Sequence, residues 1–318
     1  MAYLFLIIAL ICLSVKGYCG KKTSTDITKP TDPLLFNLLR MLFCIIIGFA
    51  MILIDTATAQ LALEPLMLLL TLCSGVANAA FLIGWILAVR RIPMVTMDVS
   101  LTIGSILPAV LCLILFDEAI SLPKMIGFGL ILLATVILSG YGRSTGMRSG
   151  VLGVLLAVIA TLGEGLSSFC QQLYKQYFTV NGSRFYGVIY ENSVFQFYTY
   201  VFAGAVLLLT FAGVAIYGYV KRDKTAETHY VRGLFASCKR PLPYIAVMAV
   251  CLFAGNYLQT AATAVYGMSP QVLYPVIKGG CLVTVNITAM LFFGERPTRR
   301  SIAGSIVALC GAVCMSIL

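Results

Sequence analysis

Two ionisable residues stand inside long apolar runs of this sequence, where their side chains could carry chemistry. Glu164 lies in LLAVIATLGEGLSSFC, and Lys278 lies in VLYPVIKGGCLVTV. A charge in the membrane core costs roughly 2.5–3.5 kcal/mol on insertion scales, so such residues usually face a bundle interior and mark a transport pathway. Four readings are open: the two form an ion pair, Glu164 exchanges a proton for substrate, Lys278 binds a substrate carboxylate or phosphate, or they never meet.

The residues around Lys278 weaken a helix. Pro275 removes a backbone hydrogen bond and bends the helix, while Gly279 and Gly280 allow either unwinding or the close approach of another helix. Inverted-repeat transporters bind their substrates where helices are interrupted near the bilayer midplane. The pattern therefore predicts a helix break at these three residues, with helix packing as the alternative.

Amide side chains and one tyrosine could complete a polar binding site. Asn256 and Gln259 are three residues apart and therefore share a helix face. Asn78 holds nearly the equivalent place in an earlier apolar segment. Buried amides in a membrane either bond across helices or contact a polar ligand. The candidate substrate-binding residues are Glu164, Lys278, Asn78, Asn256, Gln259 and Tyr274.

The composition indicates a polytopic membrane protein. Of the 318 residues, 60% are hydrophobic and 11% are charged, whereas a soluble domain has about 25% charged residues. A membrane helix needs about 20 apolar residues, and the apolar runs predict an all-α membrane protein with ten transmembrane helices. We expect the first run to be a helix and not a signal peptide, because no basic segment precedes it. The approximate bounds are 2–15, 34–54, 65–88, 94–116, 123–140, 151–173, 194–219, 242–264, 269–293 and 301–317.

The second half of the chain repeats the first. FDEAISLPKMIGFG matches FGERPTRRSIAGSI at a constant offset of 177, which aligns Glu118 with Glu295. Because five is an odd number, the second set of five helices must enter the membrane from the opposite side, which predicts two inverted five-helix repeats. The predicted parts are a first repeat over 1–140, a connecting loop over 141–150 and a second repeat over 151–318.

Basic loop residues indicate an orientation. We count every lysine and arginine except Lys278 as a loop or flanking residue, and most of them fall on the odd-numbered loops. The positive-inside rule then places those loops in the cytoplasm and both termini outside. The net charge of +10 reflects these loops. Nucleic acid is not an expected partner, because the sequence has no basic stripe with interleaved aromatic residues.

The segment SPQVLYPVIKGGCLVTVNITAMLFFGERPTRRSIAGSIVALCGAV (269–313) resembles the EamA-type transporters of the drug/metabolite transporter superfamily. The resemblance covers nearly the whole chain. It implies a cavity lined by the third, fourth, sixth, eighth and ninth helices, and it places both termini in the cytosol, against the loop charges. Glu164 also falls near the proton-coupling glutamate of the similar small multidrug resistance proteins, which implies that this residue couples protons to transport.

These patterns predict a secondary transporter that moves a small polar or amphipathic metabolite by alternating access, driven by proton coupling or exchange. The alternatives are efflux of cationic drugs through Glu164 and a non-transporting membrane subunit. No enzyme is expected, because the sequence has no nucleophile–base pair and no histidine in a predicted span.

Neither a cofactor nor a metal site is expected, and a disulfide framework is equally unexpected. The eleven cysteines lie mostly inside predicted spans and include no CxxC pair. The expected partners are a small-molecule substrate and the lipid bilayer, and a homodimer stays open. The plasma membrane is the default location for such a multi-pass protein.

Overall fold

The structure is a computed structural model, and it describes most of the chain. Within this part the chain is helical, with no strand. The described residues are 2–24, 32–54, 61–89, 91–92, 97, 100–101, 104, 106–116, 121–139, 150–179, 189–220, 239–293 and 299–316. Their helices are α1 (Ala2–Ser24), α2 (Asp32–Ile54), α3 (Pro65–Val89), α4 (Ile106–Phe116), α5 (Leu122–Ser139), α6 (Val151–Phe178), α7 (Asn192–Val220), α8 (Leu242–Ala264), α9 (Pro270–Phe293) and α10 (Arg299–Ser316).

Six helices of the described chain are long and apolar enough to cross a membrane, namely α1, α2, α3, α6, α7 and α8. Shorter apolar stretches occur in α5 and α10. The long helices also expose large aliphatic side chains, such as Leu69 and Leu209, as a surface facing lipid tails requires. The all-helical chain is therefore consistent with a multi-pass membrane protein.

The first helix is longer than the sequence analysis predicted. We expected it to end near residue 15, but α1 continues to Ser24. Packing explains the extension, because α1 runs along α8 and its C-terminal part lies in the core. Gly20 lies against the ring of Trp85, so close that a Cβ there would clash with Trp85 Cη2. Tertiary contacts of this kind override the polar residues that follow the apolar run.

The helices pack in corresponding pairs. α3 packs along α6 and α8 along α1, α3 meets α7 and α8 meets α2, and α4 contacts α6 while α9 contacts α1. In each of these three comparisons, adding five to both helix numbers turns the first pair into the second, if the count returns to α1 after α10. The pairs α2–α7 and α5–α10 convert into themselves. Most helix contacts therefore have a counterpart in the other half of the chain, and the extensive contact of α9 with α10 is an exception.

Glycine sets the spacing between α3 and α6. A Cβ on Gly163 would lie 2.6 Å from the Ala77 carbonyl oxygen and 2.7 Å from the Phe81 nitrogen. One on Gly84 would lie 2.8 Å from the Leu156 carbonyl oxygen. These are backbone atoms, which cannot swing aside as a side chain can. Only glycine at these positions lets the two helices approach so closely.

The predicted helix break is not observed, because α9 continues as one helix through Pro275, Gly279 and Gly280. Pro275 falls in the second turn, where it costs the helix a single backbone hydrogen bond. Gly280 faces α1, because a Cβ there would meet the end of the Leu10 side chain.

Two tyrosines anchor the segment that precedes α3. The Tyr190 hydroxyl donates to the Ala62 carbonyl and accepts from the Glu64 backbone N–H, both at 2.9 Å. The Tyr198 hydroxyl donates to the Leu61 carbonyl at 2.7 Å. Tyr190 is fully buried. These bonds satisfy backbone groups of an irregular segment and fix the start of α3.

Candidate functional site

A polar cavity lies between four helices, α1, α3, α6 and α8. It holds about 450 Å³ of empty space, part of which is open solvent. Its lining residues are Leu13, Lys16, Asn78, Phe81, Glu164, Ser167, Ser168, Gln171, Leu252, Asn256 and Gln259.

The largest polar contribution comes from α6. Glu164, Ser167, Ser168 and Gln171 follow the spacing i, i+3, i+4, i+7, which places all four on one face of the helix. Gly163 is the neighbour of Glu164 and allows α6 to press against α3. The carboxylate is therefore carried on the part of α6 that lies closest to α3.

The facing wall comes from α3 and α8. Asn78 and Phe81 are one turn apart on α3, and Asn256 and Gln259 are one turn apart on α8. Gln259 donates to the Gly255 carbonyl of its own helix at 3.2 Å. Asn78 is 4% exposed, and its Nδ2 has no hydrogen-bond partner among the described residues. This buried donor is available to a ligand oxygen.

Lys16 of α1 completes the lining. Its Nζ lies 5.3 Å from the centroid of the Phe81 ring, a distance at which the ring face attracts a cation. Leu13 lies one turn earlier on the same helix and supplies an apolar part of the wall. The cavity therefore combines a cation, a carboxylate, amides, hydroxyls and apolar surface.

A buried arginine stands behind the α8 wall. The Asn256 Nδ2 donates to the Tyr200 hydroxyl at 2.9 Å, and Arg40 lies on α2, which packs against α8 and against the helix of Tyr200, α7. Arg40 is 2% exposed, and its Nη2 donates to Asn37 Oδ1 at 2.6 Å. Counting Arg40 as a loop-flanking residue was wrong, because it lies two turns inside α2 and is buried. Asn37 in turn donates to the Leu82 carbonyl at 3.0 Å and fixes the arginine against α3.

Four of the predicted binding residues meet in this cavity. Glu164, Asn78, Asn256 and Gln259 all line it. Asn256 bonds across helices to Tyr200, which is one of the two roles that the sequence left open, and it also borders the cavity.

The other candidate residues have side chains that the structure does not describe. The side chains of Lys278, Tyr274 and Pro275, together with Glu118 and Glu295, lie outside the described part of the structure. The contact between Glu164 and Lys278 therefore stays a prediction.

Sequence reasoning missed several lining residues. Lys16 was assigned to a flank because the first helix was expected to end one residue earlier. The i, i+3, i+4, i+7 spacing from Glu164 was a signal that could have found Ser167, Ser168 and Gln171. The expected lining helices also need correction, because α1 contributes and was not foreseen. The fourth and ninth helices supply no lining residue among those that the structure describes.

Several solved structures are similar to this chain, among them the crystal structure of a protein. It superimposes with a TM-score of 0.68 at 13% sequence identity, covering 99% of this chain and 96% of that chain. No protein-family model matches the sequence, and no curated protein matches it. At this identity the similarity is one of fold alone.

The fold and the cavity together define a class. The chain is all-helical, is consistent with a multi-pass membrane protein, and holds a polar cavity between four of its helices. Among the described residues no group of three or more His, Cys, Asp or Glu side chains is placed to hold a metal ion. The function must therefore be argued from the side chains of the cavity.

Proposed function

We propose that this protein is a secondary transporter that moves a small polar or amphipathic metabolite by alternating access. The observation that carries the proposal is the polar cavity, which brings a carboxylate, a lysine and four amides together among apolar helices. Polar and ionisable groups are costly at such a place, and they mark substrate or ion pathways in membrane proteins. The resemblance of 269–313 to the EamA-type transporters agrees with this function.

The transporter would consist of two inverted five-helix repeats, over 1–140 and 151–318. The corresponding helix contacts support this division, because most of them recur when five is added to each helix number. The four lining helices form two such corresponding pairs, α1 with α6 and α3 with α8. Rocking of one repeat against the other would expose the cavity to each side in turn.

Glu164 is the proposed proton-coupling residue. It is the one carboxylate among the described lining residues, and its charge would depend on whether substrate occupies the cavity. A proton released on one side and taken up on the other would link transport to a proton gradient. We assign the protein to the plasma membrane and expect no enzymatic activity from it.

Efflux of cationic drugs is the second candidate, and Glu164 would again bind the cargo. Lys16 disfavours it, because a second positive charge in the same cavity repels a cation. A polar metabolite fits the amide and hydroxyl groups better.

Transport by the purified protein in liposomes tests the proposal. Liposomes loaded with a pH-sensitive dye are exposed to amino acids, sugars, nucleosides, organic acids and organic cations, one class at a time. We expect one class to drive proton movement in the wild type and Glu164→Gln to abolish that movement. Glu64→Gln is the control, since Glu64 is a carboxylate outside the cavity.

The outcomes separate the candidates. If no compound crosses faster than in protein-free liposomes, the transport proposal is refuted and the non-transporting membrane subunit is favoured. Proton movement that survives Glu164→Gln would remove this residue from coupling. Transport confined to hydrophobic cations would favour drug efflux.

A further inference from the structure

The cavity presents one positive and one negative side chain. Among the described lining residues Lys16 and Glu164 are the ionisable pair, and the other polar groups are uncharged amides and hydroxyls. They stand on α1 and α6, helices that occupy corresponding places in the packing. A ligand in the cavity therefore meets a cation from one half of the chain and a carboxylate from the other.

Each charge has a distinct setting. Lys16 lies over the Phe81 ring, and Asn78, one turn from Phe81, offers a buried amide N–H without a partner among the described residues. Both groups suit a ligand oxygen anion. Glu164 lies one turn from the hydroxyls of Ser167 and Ser168 on α6, and this side suits a ligand ammonium.

The balance of charge selects among ligands. A ligand with a single charge could match one of the two side chains but would displace solvent or partners from the other. Leaving a charge poorly matched in a desolvated site is costly. A ligand with both charges offers an anionic group to Lys16 and a cationic group to Glu164, and these groups replace the partners that the two side chains have without ligand. The cavity should therefore discriminate by the presence of both charges on one molecule.

We propose that the cavity binds a zwitterion, a small molecule that carries a carboxylate and an ammonium group. The carboxylate lies toward Lys16 and the Asn78 amide, and the ammonium lies toward Glu164. The apolar part of the ligand packs on Leu13 and Leu252, which line the cavity. The inference deepens the proposed function, on which it rests for passage across the membrane but not for binding.

Two sets of probes test the charge requirement. The first set is leucine, isoamylamine and isocaproate, which share a branched carbon skeleton and carry both charges, the cation alone or the anion alone. The second set is ε-aminocaproate, n-pentylamine and caproate, in which the two charges stand further apart. Binding is measured by equilibrium dialysis on the purified full-length chain. We expect the zwitterion of at least one set to bind about tenfold or more tightly than either singly charged relative, as the loss of one charged hydrogen bond predicts.

Substitutions should invert the preference in opposite directions. Lys16→Gln should favour the amine of the set over the zwitterion, and Glu164→Gln should favour the carboxylic acid. Lys16→Arg and Glu164→Asp keep the charges and should retain the preference for the zwitterion. These conservative variants also show that loss of binding does not come from misfolding.

The results distinguish this inference from the proposed function. Zwitterion binding without transport in liposomes would uphold the charge requirement and refute the transporter. Transport of singly charged members with no preference for the zwitterion would uphold the transporter and refute the charge requirement. Binding of no member of either set would also overturn the inference, as would variants that do not shift the preference.

Discussion

Substitution of Gly163 by alanine should push α3 away from α6. The added methyl carbon would lie 2.6 Å from the Ala77 carbonyl oxygen, whereas an ordinary non-bonded contact is about 3.5 Å. The helices must therefore separate by about 0.9 Å, the difference between these two distances. The methyl carbon would also contact the Phe81 nitrogen. Both atoms belong to the backbone of α3, so no rotamer change can relieve the clash.

The energetic cost follows from two opposed effects. Overpacking of this kind costs about 1–3 kcal/mol, and the rigid backbone neighbours place it near the upper value. Replacing glycine by alanine in a helix stabilises the helix by about 1 kcal/mol, because alanine has the higher helix propensity. We expect a net loss of about 2 kcal/mol, which lowers the melting temperature by about 4 °C at roughly 2 °C per kcal/mol for a chain of this size.

Gly129→Ala is the matched control. No heavy atom lies within 4 Å of the Cβ position at Gly129, so the variant gains helix propensity without a clash and should melt about 2 °C higher than the wild type. The assay is thermal unfolding in detergent, followed by circular dichroism. Equal melting temperatures for the Gly163 and Gly129 variants would refute the reasoning that glycine sets the spacing beside the cavity.

Three further predictions concern other parts of the molecule. Asn256→Leu removes the donor to the buried Tyr200 hydroxyl and should lower the stability by about 1–3 kcal/mol in the same melting assay. Tyr190→Phe removes two hydrogen bonds to the segment before α3, so it should destabilise more than Tyr198→Phe, which removes one; the reverse order would contradict the proposed anchoring. Trypsin should cleave within residues 221–240, which lie between the seventh and eighth predicted spans, in inside-out membrane vesicles and spare them in right-side-out vesicles, because the basic residues predict that this segment is cytoplasmic; the opposite pattern would favour the orientation that the resemblance to the EamA-type transporters implies.

The sequence was most informative where one residue contradicts its surroundings. A glutamate in an apolar run is costly, and Glu164 could be recognised for that reason alone. Asn78 and Asn256 could be paired because the sequence predicts two repeats, in which these residues hold nearly equivalent places. All three line the cavity.

What the sequence did not reveal depends on contacts between distant segments. Lys16 follows the last strongly apolar residues of α1 and looks like an ordinary flanking lysine. Only the packing of α1 along α8 extends the helix and brings this residue to the cavity. Arg40 was missed for the same reason, because its burial depends on the packing of α2 against other helices, which no local pattern specifies.

The contact of Trp85 with Gly20 gives the molecule a native optical reporter. Trp85 is the sole tryptophan of the chain, and its ring is held in the core against α1 while its backbone belongs to α3. Indole emission shifts to longer wavelength when water reaches the ring. Any movement that separates α1 from α3 will therefore change the fluorescence colour of the unlabelled protein, so that conformational exchange can be followed in real time without an added dye.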